Sequence, residues 1–220
     1  MLIQADILSG FVRDIFLAAG CSDGESRRIA DNLVDANLTG HDSHGVVRTA
    51  RYLTWLKEGK LLPDRDISVV SDSGSLLILD GNFGYGQTVG PLAVQRGIDR
   101  AADLGVSIVA LRHAGHLGRI GAFAEMAAEA GQVSVHFVNV AGSILVAPFG
   151  GTERRMSTAP VAIGVPVPGG QPVILDFATS LVAEGKILVA ALGGKPLPGD
   201  ALIGPDGSGR RDDDRYDRER

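Results

Sequence analysis

Apolar side chains recur at helical spacing through the N-terminal part of the chain. The first run ends at Gly20, which has the position of a left-handed helix terminator. Ser22 and Glu25 have the three-residue offset of a capping box and predict a second helix that ends before Gly40. A third helix is predicted from about residue 45 to residue 57. The apolar positions of the first two helices are Ile7, Leu8, Phe11, Val12, Ile15, Phe16, Ile29, Leu33 and Val34.

Beyond residue 62 the pattern changes to short β-like runs and helices. Runs at 67–71 and 76–80 flank the turn residues Asp72, Ser73 and Gly74, which predicts a hairpin. The alternation that follows predicts an α/β protein, with an N-terminal helical segment at 1–62 and a mixed sheet with flanking helices at 63–208. The later elements are helices at 89–104, 120–130 and 178–192, a buried strand at 106–111, and strands at 133–138, 161–165 and 173–177.

Composition narrows the class of protein. Of 220 residues 45% are hydrophobic, which suffices for a large core, and the net charge of -5 leaves no broad basic surface for nucleic acid. Cys21 has no cysteine partner in the chain and suits a reducing compartment. No stretch approaches the roughly 20 apolar residues that cross a bilayer, and the N-terminus lacks a secretory pattern. We therefore expect a cytoplasmic protein without a membrane partner, and a charged, disordered tail at 209–220.

The segment His41-Asp42-Ser43-His44-Gly45 lies where the second and third predicted helices meet. If the third helix begins near Ser43, then His44, Arg48 and Tyr52 share one face. Arginine can hold a carboxylate, histidine can transfer a proton, and tyrosine can hydrogen-bond a substrate oxygen. The combination suits a 2-oxoacid. The same spacing fits a helix capped by Asp42 or Ser43 with its other polar side chains in solvent.

A second candidate, Gly115-His116-Leu117-Gly118-Arg119-Ile120-Gly121, follows a predicted strand and opens a predicted helix. Free amides at a helix N-terminus can bind phosphate. The spacing differs from that of the dinucleotide fingerprint, and no acidic residue follows about 20 positions on, so a Rossmann fold is not predicted. Glycines that permit a tight turn against the sheet would explain Gly118 and Gly121 without a ligand.

A third candidate is the strand end Asp176-Phe177-Ala178-Thr179-Ser180, which offers a carboxylate and two hydroxyls to a cofactor ribose or phosphate. Helix capping by Thr179 or Ser180 is the alternative. Two H-x-x-H pairs, His41 with His44 and His113 with His116, raise a metal-dependent hydrolase as a further hypothesis. Pairs outside an H-E-x-x-H motif are weak evidence for a metal, and no metal is predicted.

These blocks together resemble the malate/L-lactate dehydrogenase family of the non-Rossmann type, in particular its hydroxycarboxylate dehydrogenases. The resemblance runs from about residue 5 to residue 207. It implies a family-specific, non-Rossmann α/β fold and a homodimer that interconverts a small 2-oxoacid and a 2-hydroxyacid with NAD or NADP. The matching blocks are His41 to Arg48 with Tyr52, Gly115 to Gly121, Val146-Ala147-Pro148-Phe149-Gly150-Gly151, and Asp176 to Ser180.

The resemblance also implies roles for individual residues. A histidine would protonate the alkoxide that forms as hydride reaches the ketone, with His44 the first choice and His116 the second. Arg48 would hold the carboxylate, Tyr52 would line the pocket, and Asp176 would orient a histidine or contact the cofactor. The residues expected at the cofactor are Ser43, His44, Gly118, Arg119, Ile120, Ser143, Thr158, Pro160, Asp176, Phe177, Ala178, Thr179, Ser180 and Lys186.

The chain departs from the family pattern in two ways. Members usually have Thr-Asn-Pro where this chain has Thr158-Ala159-Pro160, so one polar group near the cofactor is missing. Members also continue well past the point where this sequence ends, and the ending predicts a truncated chain with part of the nucleotide site and core unbuilt. An inactive relative that serves only as a binding or dimerisation module is therefore the alternative function.

Overall fold

A computed structural model describes residues 2–140, 142–191, 196–199, 201–204 and 207–210. The N-terminal part is helical, with α1 at Ala5–Ala18, α2 at Asp23–Leu38 and α3 at Thr49–Lys57. Phe16, Ile29 and Leu33 are fully buried where α1 packs against α2, as their helical spacing predicts. Tyr85 belongs to the same core cluster, so residues on both sides of position 62 build it. The division of the chain into domains stays a prediction.

The N-terminus of α2 is capped from outside the helix as well as from within. Ser22 Oγ accepts from the Glu25 amide at 3.3 Å, as the capping box predicts. The Glu25 carboxylate, however, does not return to the Ser22 amide, which donates to Asp64 Oδ2 at 2.9 Å. Glu25 is fully buried and instead accepts from the Asp64 amide at 2.6 Å and from the Thr88 hydroxyl at 2.8 Å. One of the two hydrogen bonds of the predicted capping box is thus replaced by a tertiary contact with Asp64.

The third helix begins later than predicted. Asp42–His44 and Val46–Arg48 are two short 3-10 helices, separated by Gly45 in an extended conformation. Asn37 Oδ1 accepts from the Val46 amide at 2.9 Å, so a side chain of α2 satisfies this backbone donor. The predicted single helix from 45 to 57 is therefore wrong over its first four residues, and His44, Arg48 and Tyr52 do not share one helical face.

The first sheet confirms the hairpin and corrects one strand. β1 at Ser68–Ser73 pairs antiparallel with β2 at Leu76–Asp80, and the turn begins two residues later than predicted, at 74–75. The helix α4 at Gly86–Leu104 then leads to β3 at Ile108–Arg112, which runs parallel to β2. The prediction of a buried strand at 106–111 is wrong, because β3 lies at a sheet edge and Ile108 is 61% exposed.

The second sheet is antiparallel, in the order β4 at Ser134–Phe137, β5 at Val161–Val165 and β6 at Val173–Phe177. One face packs on α5 at Gly121–Glu129. The opposite face is apolar and open, and Phe137 there is 79% exposed. By the strand register this face consists of Val135, Phe137, Val161, Ile163, Val165, Val173, Leu175 and Phe177.

The last helix, α6 at Glu184–Ala191, starts six residues later than the predicted 178. Thr179 and Ser180 therefore do not cap a helix: the Thr179 hydroxyl donates to the Thr158 and Ala159 carbonyls, and Ser180 donates to Val182 O. Gly209–Arg210 forms the short strand β8 against β7 at Leu202–Ile203, within the stretch predicted to be disordered. The rest of that predicted tail lies outside the described residues. In the part of the chain that the structure describes, no helix combines the length and apolar character of a membrane span.

Candidate active site

Side chains that are distant in sequence meet beside the N-terminal end of α3. Tyr52 Oη lies 2.7 Å from His116 Nδ1. The His116 ring stacks on His44, with centroids 5.3 Å apart and planes inclined by 27°. Arg48 Nε donates to the Ser43 carbonyl at 2.6 Å, and Ser43 Oγ lies 3.0 Å from His44 Nδ1. The structure thus brings together four of the five predicted catalytic residues, which are His44, Arg48, Tyr52 and His116.

Burial and nearby positive charge determine the protonation states of the side chains in this cluster. Loss of solvent, followed by the positive charges of Arg48 and His41, lowers the pKa of His44 to about 4. The same two effects, burial first and then Arg48 and His44, hold the pKa of His116 well below its usual 6.5. Burial raises the pKa of Tyr52 to about 12. Near neutral pH both histidines are therefore neutral, and Tyr52 keeps its proton.

Two glycines allow the backbone to close around these side chains. A Cβ at Gly86, the first residue of α4, would lie 2.7 Å from Leu117 Cα and still nearer the His116 carbonyl oxygen. A Cβ at Gly185, in the first turn of α6, would lie 3.2 Å from Arg48 Nη2 and also overlap Ser43. The helix starts are thus pressed directly against the segments that carry His116 and Arg48.

Gln87 is a member of the cluster that the sequence analysis missed. It is 3% exposed, and its Nε2 lies 3.0 Å from Tyr52 Oη and 3.2 Å from the His116 carbonyl oxygen. Nothing in its sequence neighbourhood distinguishes it from any other helical glutamine. Only its buried environment does, since a fully buried amide needs hydrogen-bonding partners.

Asp176, the fifth predicted catalytic residue, lies elsewhere. Its Oδ2 accepts from the Gly121 amide at 2.7 Å, at the N-terminus of α5. The predicted phosphate site at this helix start is therefore taken by a carboxylate from β6, because both anions suit the same free amide and helix dipole. His136 is the histidine whose pKa senses the Asp176 charge, although burial outweighs it and lowers that pKa.

The neighbouring residues of the predicted phosphate segment have other partners. The Gly118 amide points at His116 Nδ1, at 3.3 Å. Arg119 is 8% exposed and pairs with Glu125 at 2.7 and 2.8 Å and with Asp35 at 3.1 Å. Its guanidinium is thus committed within the protein and not presented to a 2′-phosphate. The Ile120 side chain packs in the core beside α5, which leaves its backbone as the part that a cofactor could contact.

The remaining predicted cofactor residues line two adjoining segments. Thr179 binds the Thr158 carbonyl through both its amide and its hydroxyl, each at 3.1 Å, which joins the two segments. Ser157, next to Thr158 in the chain, has a buried Oγ without a hydrogen-bond partner among the described residues, and a buried hydroxyl favours a polar partner. The other predicted residues of this region are Ser143 and Ala178, both half-buried, Pro160, whose carbonyl accepts from Val138, and Phe177 and Lys186, which are exposed.

Ala159 has the left-handed conformation, with φ of 37°. Alanine is strained there because its Cβ crowds the following carbonyl, whereas asparagine tolerates this conformation. We expect Ala159→Gly to raise the free energy of unfolding by about 1 kcal/mol. The same substitution at Ala102, which is exposed within α4, should lower it by about 0.5–1 kcal/mol. Urea unfolding of both variants measures the difference, and a loss of stability in Ala159→Gly contradicts the backbone assignment.

The four histidines of the metal hypothesis do not converge. His113 Nδ1 lies 2.9 Å from Asp80 Oδ2, and its ring stacks on Phe83 with centroids 4.9 Å apart. His41 approaches His44 edge-on with ring centroids 6.4 Å apart. Among the described residues, no group of three histidine, cysteine, aspartate or glutamate side chains has a geometry that could hold a metal ion. The site geometry therefore gives the metal-dependent hydrolase no support.

A family model described as malate/L-lactate dehydrogenase matches residues 3–219. The chain belongs to the malate/L-lactate dehydrogenase family. Hydroxycarboxylate dehydrogenase B of Escherichia coli (strain K12) is 39% identical over 204 residues, which are 93% of this chain and 56% of that protein. The match confirms the family and, through the solved relatives, the mixed α/β fold that the sequence blocks predict.

Two solved structures extend the comparison to the fold. A dehydrogenase from Sinorhizobium meliloti superposes with a TM-score of 0.90 at 32% identity, over 97% of this chain and 62% of that one. Sulfolactate dehydrogenase from Methanocaldococcus jannaschii superposes with a TM-score of 0.85 at 33% identity, over 97% and 61%. The chain of this dehydrogenase family member thus spans about 60% of the length of these relatives.

Proposed function

We propose that the protein transfers hydride between a nicotinamide cofactor and a small 2-oxoacid or 2-hydroxyacid. The observation that carries the proposal is the stacked pair His44 and His116 beside Arg48, in a member of a family of hydroxyacid dehydrogenases. An arginine suits the carboxylate of such a substrate, and a neutral histidine suits proton exchange with its oxygen.

Arg48 and the histidine pair act together in this proposal. Burial is the main cause that lowers the pKa of both histidines in the free protein, and the charge of Arg48 lowers it further. A bound carboxylate would neutralise that positive charge, and the pKa of both histidines would rise. The higher pKa brings the histidine closer to the protonated form that gives a proton to the developing alkoxide.

Only part of the region predicted to bind a nicotinamide cofactor has residues that fit one. The start of α5 does not fit its phosphates, because Asp176 and Arg119 are committed to partners within the protein. The segments around Thr158 and Thr179 do fit a polar ligand, as the unpartnered Ser157 hydroxyl beside them indicates. When bound, the cofactor supplies the hydride. We propose that Ser43, Thr158, Thr179, Ser180 and Lys186 hold it, and that it is NAD or NADP.

We extend the proposal to a cytoplasmic homodimer. The open apolar face of the second sheet, with Phe137 and Val173 at 79% and 61% exposure, is the observation that favours an assembly. Light scattering on purified protein measures the oligomeric state. A folded assembly that binds cofactor weakly and turns nothing over would support the alternative, a binding or dimerisation module.

The activity is tested with the purified 220-residue chain. We expect oxidation of NADH or NADPH in the presence of simple 2-oxoacids, followed by the absorbance of the reduced cofactor. His116→Asn should lower kcat at least about 100-fold, the usual scale for a lost acid or base. His113→Asn is the matched control, since that histidine is exposed and bonded to Asp80. A folded sample with neither turnover nor cofactor binding contradicts the proposal.

A further inference from the structure

The orientation of the Gln87 amide follows from its neighbours. One end of the amide faces the His116 carbonyl oxygen at 3.2 Å and Asn32 Oδ1 at 3.4 Å. A backbone carbonyl oxygen can only accept a hydrogen bond, so the atom facing it must be the nitrogen. The same nitrogen lies 3.0 Å from Tyr52 Oη. Gln87 therefore donates a hydrogen bond to the Tyr52 oxygen.

This donation determines where Tyr52 directs its own proton. The Tyr52 side chain is 1% exposed, so solvent does not offer it an acceptor. His116 Nδ1 lies 2.7 Å from the hydroxyl, which is a normal distance for a donated O–H bond. The Gly118 amide, which can only donate, approaches the same nitrogen at 3.3 Å. Two donors therefore converge on His116 Nδ1, and this nitrogen must offer a lone pair.

We infer that Gln87, acting through Tyr52, holds neutral His116 in the tautomer that carries its proton on Nε2. Gln87 is a positioning residue in this arrangement, since it acts on the His116 ring through Tyr52. Because an imidazole ring has one proton when neutral, a lone pair on Nδ1 places that proton on the opposite nitrogen. The part of the inference that concerns catalysis rests on the proposed function: Nε2–H would then be ready to donate a hydrogen bond to the substrate oxygen.

One atom of the Gln87 amide lowers stability, which indicates that the other end of the amide is the part with a role. Its Oε1 is buried and has no hydrogen-bond partner among the described residues. An unpaired buried acceptor destabilises a fold, so Oε1 contributes nothing that would by itself favour glutamine here. The two N–H donors of the amide are therefore the part of Gln87 that the site uses. Methionine at this position removes the unpaired Oε1 and also the donor to the His116 carbonyl, two opposed effects, so stability should change little while the donor to Tyr52 is lost.

The experiment reads the tautomer directly. In protein labelled with 15N-histidine, long-range 1H–15N correlation spectra near neutral pH distinguish the two neutral tautomers, and His116→Asn identifies the His116 signals. We expect the Nε2–H form in the unsubstituted protein. Gln87→Glu replaces the donor by an acceptor, so Tyr52 would turn its proton toward residue 87 and accept one from Nδ1. The His116 signals should then change to the Nδ1–H pattern.

Two further variants keep the test decisive. Gln87→Met, which brings no new charge, leaves only the long Gly118 contact of 3.3 Å to favour a lone pair on Nδ1, so it should give a mixture of the two tautomers even if Gln87→Glu fails to fold. Gln95→Glu is the matched control, because Gln95 is exposed on the same helix and bonds only within it, to Asp99. It should leave the His116 signals unchanged. The Nδ1–H form in the unsubstituted protein, or His116 signals that Gln87→Met leaves unchanged, overturns the inference.

Activity provides a separate readout. If the proposed function holds, Gln87→Met should lower kcat at least about tenfold, as expected for a histidine whose tautomer is no longer fixed. KM for the 2-oxoacid should change little, because Arg48 is intact. The predicted spectra without any turnover would refute the proposed function and leave the tautomer assignment standing. Turnover together with His116 signals that Gln87→Met leaves unchanged would refute the tautomer assignment and leave the proposed function standing.

Discussion

Replacing Arg48 by glutamine is expected to lower kcat/KM for a 2-oxoacid by about 100-fold or more. A paired arginine and carboxylate lose roughly 3 kcal/mol when the charge is removed, and each 1.4 kcal/mol is a factor of about ten. Most of the effect should appear as a higher KM, since the lost contact binds the substrate carboxylate. Steady-state kinetics over a range of 2-oxoacid concentrations measure both constants.

The same substitution should change the protonation of the histidine pair. Arg48 is among the causes that lower the pKa of His44 to about 4 and the pKa of His116 well below 6.5. Without this positive charge both values rise toward 6.5, although burial, the larger cause, keeps them below it. An NMR titration of the histidine ring signals follows the change and does not depend on turnover.

Arg51→Gln is the control for Arg48. Arg51 is exposed on α3, and its guanidinium lies 5.9 Å from the Trp55 ring centroid. The substitution removes the same charge one helical turn away without touching Ser43. Both kcat/KM and the pKa of His44 should stay near their original values. Equal effects of the two substitutions would mean that net charge, and not the placement of Arg48, sets the chemistry of the pair.

Gly86→Ala is expected to lower the free energy of unfolding by about 2–3 kcal/mol. The new Cβ would lie 2.7 Å from Leu117 Cα and would overlap the His116 carbonyl. Both neighbours are backbone, so no rotamer change can relieve the contact, and the segment that carries His116 must move. The hydrogen bond of 2.7 Å between Tyr52 and His116 should weaken with it. Urea denaturation measures the stability, and the His116 ring signals report the displacement.

Gly10→Ala is the matched substitution of opposite sign. Gly10 lies within α1, and a Cβ there meets nothing within 4 Å. Alanine loses less backbone entropy than glycine in a helix, so this variant should be more stable by about 0.5–1 kcal/mol. If Gly86→Ala unfolds at the same denaturant concentration as Gly10→Ala, the close approach of α4 to residue 117 is not present in solution.

Elements with a strong local signal could be predicted from the sequence. The strands Val161–Val165 and Val173–Phe177 have the bounds that their apolar runs predict. The first two helices follow their periodicity, and α4 ends before Gly105, which has φ of 81°. Errors occur where a tertiary partner replaces a local one. Asn37 divides the predicted third helix by binding the Val46 amide, and the region after Ala178 bonds to Thr158 instead of forming a helical turn.

The HDSHG segment shows the same division within the site. Its residue types predicted the chemistry of a carboxylate substrate, and four ordered blocks predicted the family. The spacing also predicts that His44, Arg48 and Tyr52 share one helical face. That prediction is wrong, because His44 and Arg48 lie on separate 3-10 helices and Tyr52 lies on α3. Their proximity comes instead from the loop that brings His116 between Tyr52 and His44.

The sequence by itself determined the family, the α/β class and the residue types that the chemistry needs, because these depend on local periodicity and on motifs read in order. Only the tertiary structure decided which hydrogen-bonding partner each polar group meets. It gave the start of α5 to Asp176 instead of a phosphate, committed Arg119 to Glu125, and placed Gln87 against Tyr52. Each of these outcomes depends on burial of a polar group, and burial is a property of the packed chain that no local pattern contains.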